Sequence, residues 1–225
     1  MARKALIVFA KLPVPGDVKT RLTPPLAPDE CAALYHAFLF DALDLYRGAE
    51  LENVEIRLYV DRLEQDWAPK ADAHSVHLQK GEELGERMLN AFLETFVAGV
   101  EQAVIIGTDH PTLPVSFVAE AFGELETPFT VVLGPSQDGG YYLLGQNEVY
   151  ATLFNMKYSH SNVFNDTLDR ALEAAENVTI LPRWYDVDDI NSLRRLMAEM
   201  RAGAPVGART RDSLEALLEA HPDLF

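Results

Sequence analysis

Cysteine is nearly missing from this chain. Cys31 is the only one in 225 residues, so no intrachain disulfide can form, and a reducing cytoplasm is the expected setting. Within a predicted helix it reads as a small core side chain. Basic runs are missing too. Asp and Glu number 35 against 19 Lys and Arg, for a formal net charge of −16. With no stripe of cations, the composition argues against nucleic acid as a polymer and against an anionic membrane surface as partners. The apolar run after Arg3 and Lys4 ends at Lys11, too short for a signal-peptide core or a membrane span. Neither a Ser-His-Asp set nor a metal-binding cluster stands out around the 6 histidines. What remains is an acidic globular protein, 48% apolar and 24% charged. To handle phosphates it must gather its few cations locally or recruit a metal.

The most informative stretch is Ala103-Val-Ile-Ile-Gly-Thr-Asp-His-Pro111. A short unbroken apolar run predicts a strand buried on both faces at the centre of a parallel sheet. Pro111 biases His110 toward extended backbone and keeps a helix from starting there. Asp109 therefore emerges at the carboxyl end of a central strand, where ligands bind in open α/β sheets. The competing reading is a loop aspartate closing an Asx-turn.

Around this stretch, strands and helices alternate. Residues 4–10, 54–60, 75–78, 129–133, 141–144 and 178–181 read as strands, with 54–60 nearer an edge. Helices are predicted over 28–47, from about 84 to 97, over 114–126, from a cap at Ser159 or Ser161 to about 176, from Asp188 to 200, and over 209–225. In the first helix Leu34, Ala37, Phe38 and Leu45 share a face. No linker or repeat interrupts the pattern, so a single α/β domain over 1–225 is expected.

Three loops carry candidate chemistry. Residues 11–22, rich in Pro and Gly, hold Lys11, Lys19 and Arg21 where a doubly wound fold would grip phosphates. The loop has neither a dinucleotide fingerprint nor P-loop spacing, so these side chains would supply the grip. Gly134-Pro-Ser-Gln-Asp-Gly-Gly140 is an irregular loop with Asp138 in it, and a hairpin with an Asp-Gly turn is the alternative. Asp186-Val-Asp-Asp189 puts three acids in four positions, which destabilise one another unless a cation sits among them. Asp188 is also a natural N-cap for the helix that follows.

Residues 9–22, Gly107-Thr-Asp-His-Pro111, Gly134 through Tyr142 and Asp186-Val-Asp188, in this order, resemble a bacterial family of candidate glycosyltransferases in the nucleotide-diphospho-sugar transferase superfamily. Phospholactate and molybdenum-cofactor guanylyltransferases are related in fold. The resemblance runs from about residue 5 to 196. It implies a three-layer α/β/α fold of the GT-A type with a mixed, mostly parallel sheet. It also implies a nucleotide over the carboxyl edge and Mg²⁺ or Mn²⁺ bridging its phosphates.

Carried onto matching positions, it makes Asp109 and Asp188 the metal carboxylates, with Asp186 a weaker third. Lys11, Lys19 and Arg21 become phosphate ligands, and Asp109, Lys19 and Arg21 the catalytic set. Gly81, Gly85, Arg87 and Thr108 would line the nucleotide, and Asp138, Gly139, Gly140 and His110 would face the acceptor. The chain departs from the family pattern at Pro111-Thr112 and Asp189-Ile190.

The expected function is glycosyl transfer from a nucleotide sugar to a small-molecule acceptor. The alternatives are nucleotidyl transfer from a triphosphate to a phosphorylated or carboxylated acceptor, releasing pyrophosphate, and nucleotide binding without catalysis. A homodimer is compatible with all three. Removing the Asp109 charge is expected to cost little stability, because it relieves repulsion among the acids.

Overall fold

The computed structural model describes residues 2–48, 51, 53–63, 75–158 and 160–225. Its seven strands are β1 (Lys4–Ala10), β2 (Val54–Val60), β3 (Ser75–Leu78), β4 (Gln102–Ile106), β5 (Thr130–Pro135), β6 (Tyr141–Gln146) and β7 (Asn177–Ile180). They form one sheet in the order β3-β2-β1-β4-β6-β5-β7. Neighbours are parallel except at β6, which runs antiparallel to both β4 and β5. The sheet is mixed and mostly parallel, and β4 lies at its centre.

Side-chain alternation explains the layering. In β4, Val104 and Ile106 face one core while Ala103 and Ile105 face the other, and every residue of the strand is buried. Period-2 geometry places successive side chains on opposite faces, so an all-apolar strand must be covered twice. On one face lie α1 (Pro28–Tyr46) and α3 (Val115–Glu124), and on the other α2 (Leu84–Val97) and α4 (Val163–Ala174). The last two helices, α5 (Ile190–Arg201) and α6 (Ala208–Ala220), pack through a third core on the outer side of α1, against Cys31, Leu34 and Phe38. Among the described residues no helix is long and apolar enough to cross a membrane.

Some local expectations shift. Leu45, predicted inward, is exposed because the α1 core stripe runs through Leu39, Leu43 and Tyr46. The residue 134–140 loop joins antiparallel neighbours, so the hairpin is real, and Ser136 N donates to Gly140 O across it. Asn162 rather than a serine precedes α4, and its side chain makes no cap bond; Ser159 lies outside the described residues.

The N-cap of α5 is Asp189, not Asp188. Its carboxylate accepts from the backbone N–H groups of Asn191 and Ser192 at 2.9 and 2.8 Å. The Ser192 N–H foremost, with the Ser192 hydroxyl and the Asn191 N–H behind it, holds the Asp189 carboxyl below its ordinary value. Its contribution is therefore present above the unfolded carboxylate range and is lost as pH falls through the lowered value. Asp189→Ala should cost about 1 kcal/mol in urea unfolding at neutral pH, with the difference from wild type shrinking in acid. This cap leaves Asp188 available for another partner.

Candidate functional site

The carboxyl edge of the sheet gathers the loops that the sequence singled out. The chain leaving β1 runs through residues 11–19 to a short 3-10 helix, Thr20–Leu22. Lys19 sits just before that helix with φ 49° and ψ 37°, left-handed for a residue with a side chain. Such a conformation costs on the order of 1 kcal/mol and persists only where surroundings hold it. What holds it is the ammonium. Lys19 Nζ donates to Asp109 in a short contact and to Asp188 Oδ1 at 3.0 Å. On its inner side it faces the rings of Tyr35 and Phe38 of α1, 5.9 and 5.8 Å from their centroids.

The Lys19 side chain is only 3% exposed, whereas Asp109 and Asp188 are each 38% exposed. Burial alone would lower the lysine pKa; the charges of Asp109 and then Asp188 outweigh it and hold the ammonium above its ordinary value of 10.5. Lys19 was expected to contact phosphate. Two of its three N–H donors go to the carboxylates, so it stands as their counter-ion while it also lines the cavity on the side of Lys11. Arg21, 74% exposed, stands on the outer side with its guanidinium 3.9 Å from Asp188.

The three acids of residues 186–189 separate cleanly. Asp188 meets Lys19, and Asp189 caps α5. Asp186 turns away: Ser136 donates to one of its oxygens in a short contact, and His110 Nδ1 lies 2.8 Å from the other. The two groups are in close contact, although His110 Nδ1 does not meet hydrogen-bond geometry there. Both oxygens of Asp186 are thus occupied away from the Asp109–Asp188 pair, which separates it from the expected metal carboxylates. His110 is buried and lines neither cavity at the site, so the geometry does not bring it to an acceptor.

The Asp186–His110 pair is one part of a clamp. Val187 N donates to Asp109 O at 2.9 Å, Gln137 N to Trp184 O at 2.9 Å and Trp184 N to Pro135 O at 3.0 Å. Residues 184–187 are thereby fixed to both the β4 and β5 loops, which sets Asp188 opposite Asp109.

Two cavities meet at the carboxylate pair. One, about 520 Å³, is lined by Lys11, Arg21 and Arg87 with Tyr35, Asp61 and Gln79. The other, about 540 Å³, is lined by Met88, Tyr141 and Tyr158 with Asp138, Gly140 and His160. Asp109, Asp188 and Arg21 border both. Thr108 is buried and donates toward the Tyr35 hydroxyl at 3.4 Å, and that hydroxyl also accepts from Lys11 N at 3.0 Å. Burial, and then the Asp109 charge, push the Tyr35 phenol up to about 12, so it stays neutral. Thr108, expected to line the nucleotide, lines neither cavity and braces the loop through Tyr35, which borders the cationic one.

The glycines serve close approach. A Cβ on Gly85 would stand 2.5 Å from the Tyr158 ring and 2.6 Å from Phe154 O. Gly85 therefore seats the wall of the aromatic cavity, and neither it nor Gly81 lines the cationic one. Gly81 instead accepts from Arg87 Nε at 2.9 Å through its carbonyl. Gly139 has φ +95°, and a Cβ there would stand 2.0 Å from Ser161 O. Asp138 Oδ1 accepts from Gly140 N at 2.9 Å while the residue borders the aromatic cavity. We expect Gly139→Ala to cost more than about 1 kcal/mol in chemical denaturation and to displace residues 161–164, because both φ and space oppose it.

Several lining residues escaped the sequence reading. Asp61 follows β2 as Asp109 follows β4, and that shared strand-end position was the available signal; it accepts from Leu12 N at 2.7 Å. Gln79 follows β3 and donates to Ala10 O and Tyr59 O at 2.8 and 3.1 Å. Tyr158 carries no local signal, since it reaches the site from a loop whose path only the tertiary fold sets.

The fold is that of the nucleotide-diphospho-sugar transferases, and its class is transferase. The chain belongs to the bacterial family described as "Uncharacterized protein conserved in bacteria (DUF2064)", whose model matches residues 45–160. Its structure is similar to that of a candidate nucleotide-diphospho-sugar transferase from Desulfovibrio desulfuricans G20. The two are 28% identical, with a TM-score of 0.84 over 100% of this chain and 97% of that one. The fold alone is shared with a cytidylyltransferase from Leptospira borgpetersenii at 12% identity, TM-score 0.54, covering 100% and 97% of the two chains. It is shared likewise with a 4-diphosphocytidyl-2C-methyl-D-erythritol synthase from Anaerococcus prevotii at 9% identity, TM-score 0.53, covering 88% and 96%. A search of curated proteins found no match.

Proposed function

We propose that the protein is a metal-dependent glycosyltransferase, moving a sugar from a nucleotide diphosphate to a small-molecule acceptor. The observation that carries this reading is the meeting of a cationic cavity and an aromatic cavity at Asp109 and Asp188. The first suits the nucleoside diphosphate, with Lys11, Arg21 and Arg87 near its phosphates. The second suits the group beyond it. Arg21 borders both, on the solvent side of the pair, and can set positive charge where the leaving diphosphate forms.

The donor set fits a hard divalent ion. Among the described residues no group of three or more His, Cys, Asp or Glu forms a metal cage. Mg²⁺, however, is commonly held by one or two carboxylates with phosphates and water completing its shell. Asp109 and Asp188 converge on a common cation, Lys19 Nζ, through one oxygen each, and their other oxygens would hold Mg²⁺ or Mn²⁺. When bound, the ion would neutralise charge developing on the diphosphate. Lys19 keeps the two carboxylates together from below.

Nucleotidyl transfer is the second reading, favoured by the cations on the loop after β1. The engagement of Lys19 with the carboxylate pair weakens it, since part of the positive charge of that loop is spent on Asp109 and Asp188 before any triphosphate arrives. Product analysis separates the two: nucleotide sugars with Mg²⁺ should yield a nucleoside diphosphate, and pyrophosphate release from a triphosphate would sink the glycosyl reading.

A further inference from the structure

The aromatic cavity has a composition that selects its occupant. Three acids, Asp109, Asp138 and Asp188, line it against one guanidinium, Arg21, and one imidazole, His160. Neither of the last two offers a buried phosphate grip. Arg21 is largely exposed and leans toward Asp188. His160 Nε2 is within 2.9 Å of Lys157 O and its Nδ1 accepts from Asn162 N at 3.2 Å, with Asp166 3.7 Å away. By contrast the cationic cavity matches its acids with Lys11, Lys19, Arg21 and Arg87.

The apolar side of the cavity comprises Phe9, Leu84, Met88 and Val163, with the Tyr141 and Tyr158 rings. The two phenol oxygens lie 3.4 Å apart, and Met88 Sδ is 3.7 Å from the Tyr141 hydroxyl. Burial foremost raises the pKa of both phenols, so they remain neutral hydroxyls that can donate and accept. Lys19 and Arg21 answer Asp109 and Asp188, so a phosphate placed further in would meet Asp138, with no cation but the exposed Arg21 on the lining. A hydroxylated ring can lay an apolar face on the aromatic wall and bond through its hydroxyls.

We propose that the aromatic cavity binds an uncharged, hydroxylated acceptor with an apolar face, of the aryl or alkyl glycoside type, and discriminates against phosphorylated acceptors. This deepens the glycosyltransferase reading and rests on it for the word acceptor; the chemistry of the cavity stands on its own lining.

The test is binding to the full-length protein without nucleotide, by saturation-transfer NMR and calorimetry. Its probes are phenyl glycosides of glucose, galactose and mannose and the matching sugar 1-phosphates. At least one phenyl glycoside should bind at least tenfold tighter than its sugar 1-phosphate. Asp138→Asn, whose amide oxygen can still accept from Gly140 N, should narrow that ratio severalfold by removing one anion. Equal or tighter binding of the 1-phosphates, binding of no phenyl glycoside, or a ratio untouched by Asp138→Asn would overturn the proposal.

Titration with UDP and UDP-glucose in Mg²⁺ then separates the two claims. Displacement of the phenyl glycoside by UDP-glucose but not by UDP would put the donor's own sugar in this cavity and overturn the acceptor assignment. Failure to bind any of a panel of nucleotides and nucleotide sugars would count against the proposed function, while the neutral-over-phosphate ratio still decides the chemistry of the cavity.

Discussion

Asp109→Asn should lower transfer from a nucleotide sugar by roughly 10²–10³-fold while leaving a folded protein. Asp109 reaches the site because β4 is buried on both faces and ends there. The loop after it is pinned by Val187 N to Asp109 O, so the carboxylate cannot drift toward solvent. Loss of one charge halves the carboxylate set available to Mg²⁺ or Mn²⁺ and weakens the shorter of the Lys19 contacts. Nucleotide affinity measured with Mg²⁺ should fall, and affinity measured in chelator should change far less. Equal affinities with and without metal, in wild type and variant alike, would remove the metal from the mechanism.

The stability effect of this variant runs against the simple charge count. Three acids at 186, 188 and 189 near Asp109 suggest that neutralising one relieves repulsion. The structure distributes those charges: Asp189 to the α5 cap, Asp186 to His110 and Ser136, and Asp109 with Asp188 to the buried Lys19. Asp109→Asn therefore replaces an ion-paired hydrogen bond by one from the ammonium to a neutral amide oxygen and should cost about 1 kcal/mol in thermal or urea unfolding.

The sheet was legible because its signals are local. Unbroken runs such as residues 103–106 announce double burial, and Asp109 could be placed from its strand end alone. The hairpin of residues 134–140 was also legible, as one of two competing readings; the structure shows the hairpin, with Asp138 and Gly140 bordering the aromatic cavity. The direction in which a long or short side chain turns was not legible. Lys19 sits in a cationic loop, and nothing local says that its left-handed backbone sends the ammonium inward beneath two acids 90 and 169 positions away. Nor does Asp186-Val187-Asp188 disclose which acid faces the site. Spacing allowed both, and the Ser136 and His110 contacts that remove Asp186 come from other parts of the chain. The same limit applies to Gly85, whose glycine serves Tyr158 packing.

Lys19→Met is the sharper test of the arrangement. The substitution keeps the aliphatic volume against Tyr35 and Phe38 and deletes only the cation, leaving Asp109 and Asp188 facing each other. Removing one partner of a fully buried ion pair costs about 3–5 kcal/mol. Here both carboxylates are 38% exposed, so water screens much of the residual repulsion and about 1–3 kcal/mol is expected. For a chain of this length each kcal/mol corresponds to roughly 2–4 °C in melting temperature. Because the folded-state pKa of Lys19 is raised above its ordinary 10.5, its contribution is complete below that value and is lost as pH rises through the raised one. The gap between wild type and variant should accordingly be flat from pH 7 to 9 and close in strong alkali. A divalent ion supplies the missing charge, so millimolar Mg²⁺ should raise the melting temperature of Lys19→Met more than that of wild type, by ordinary linkage. Lys19→Arg, which keeps the charge, should show no such enhanced response. If Lys19→Met melts with wild type and responds to Mg²⁺ no more strongly, the lysine is not the counter-ion of the pair. Its place would then return to the phosphate side of the site.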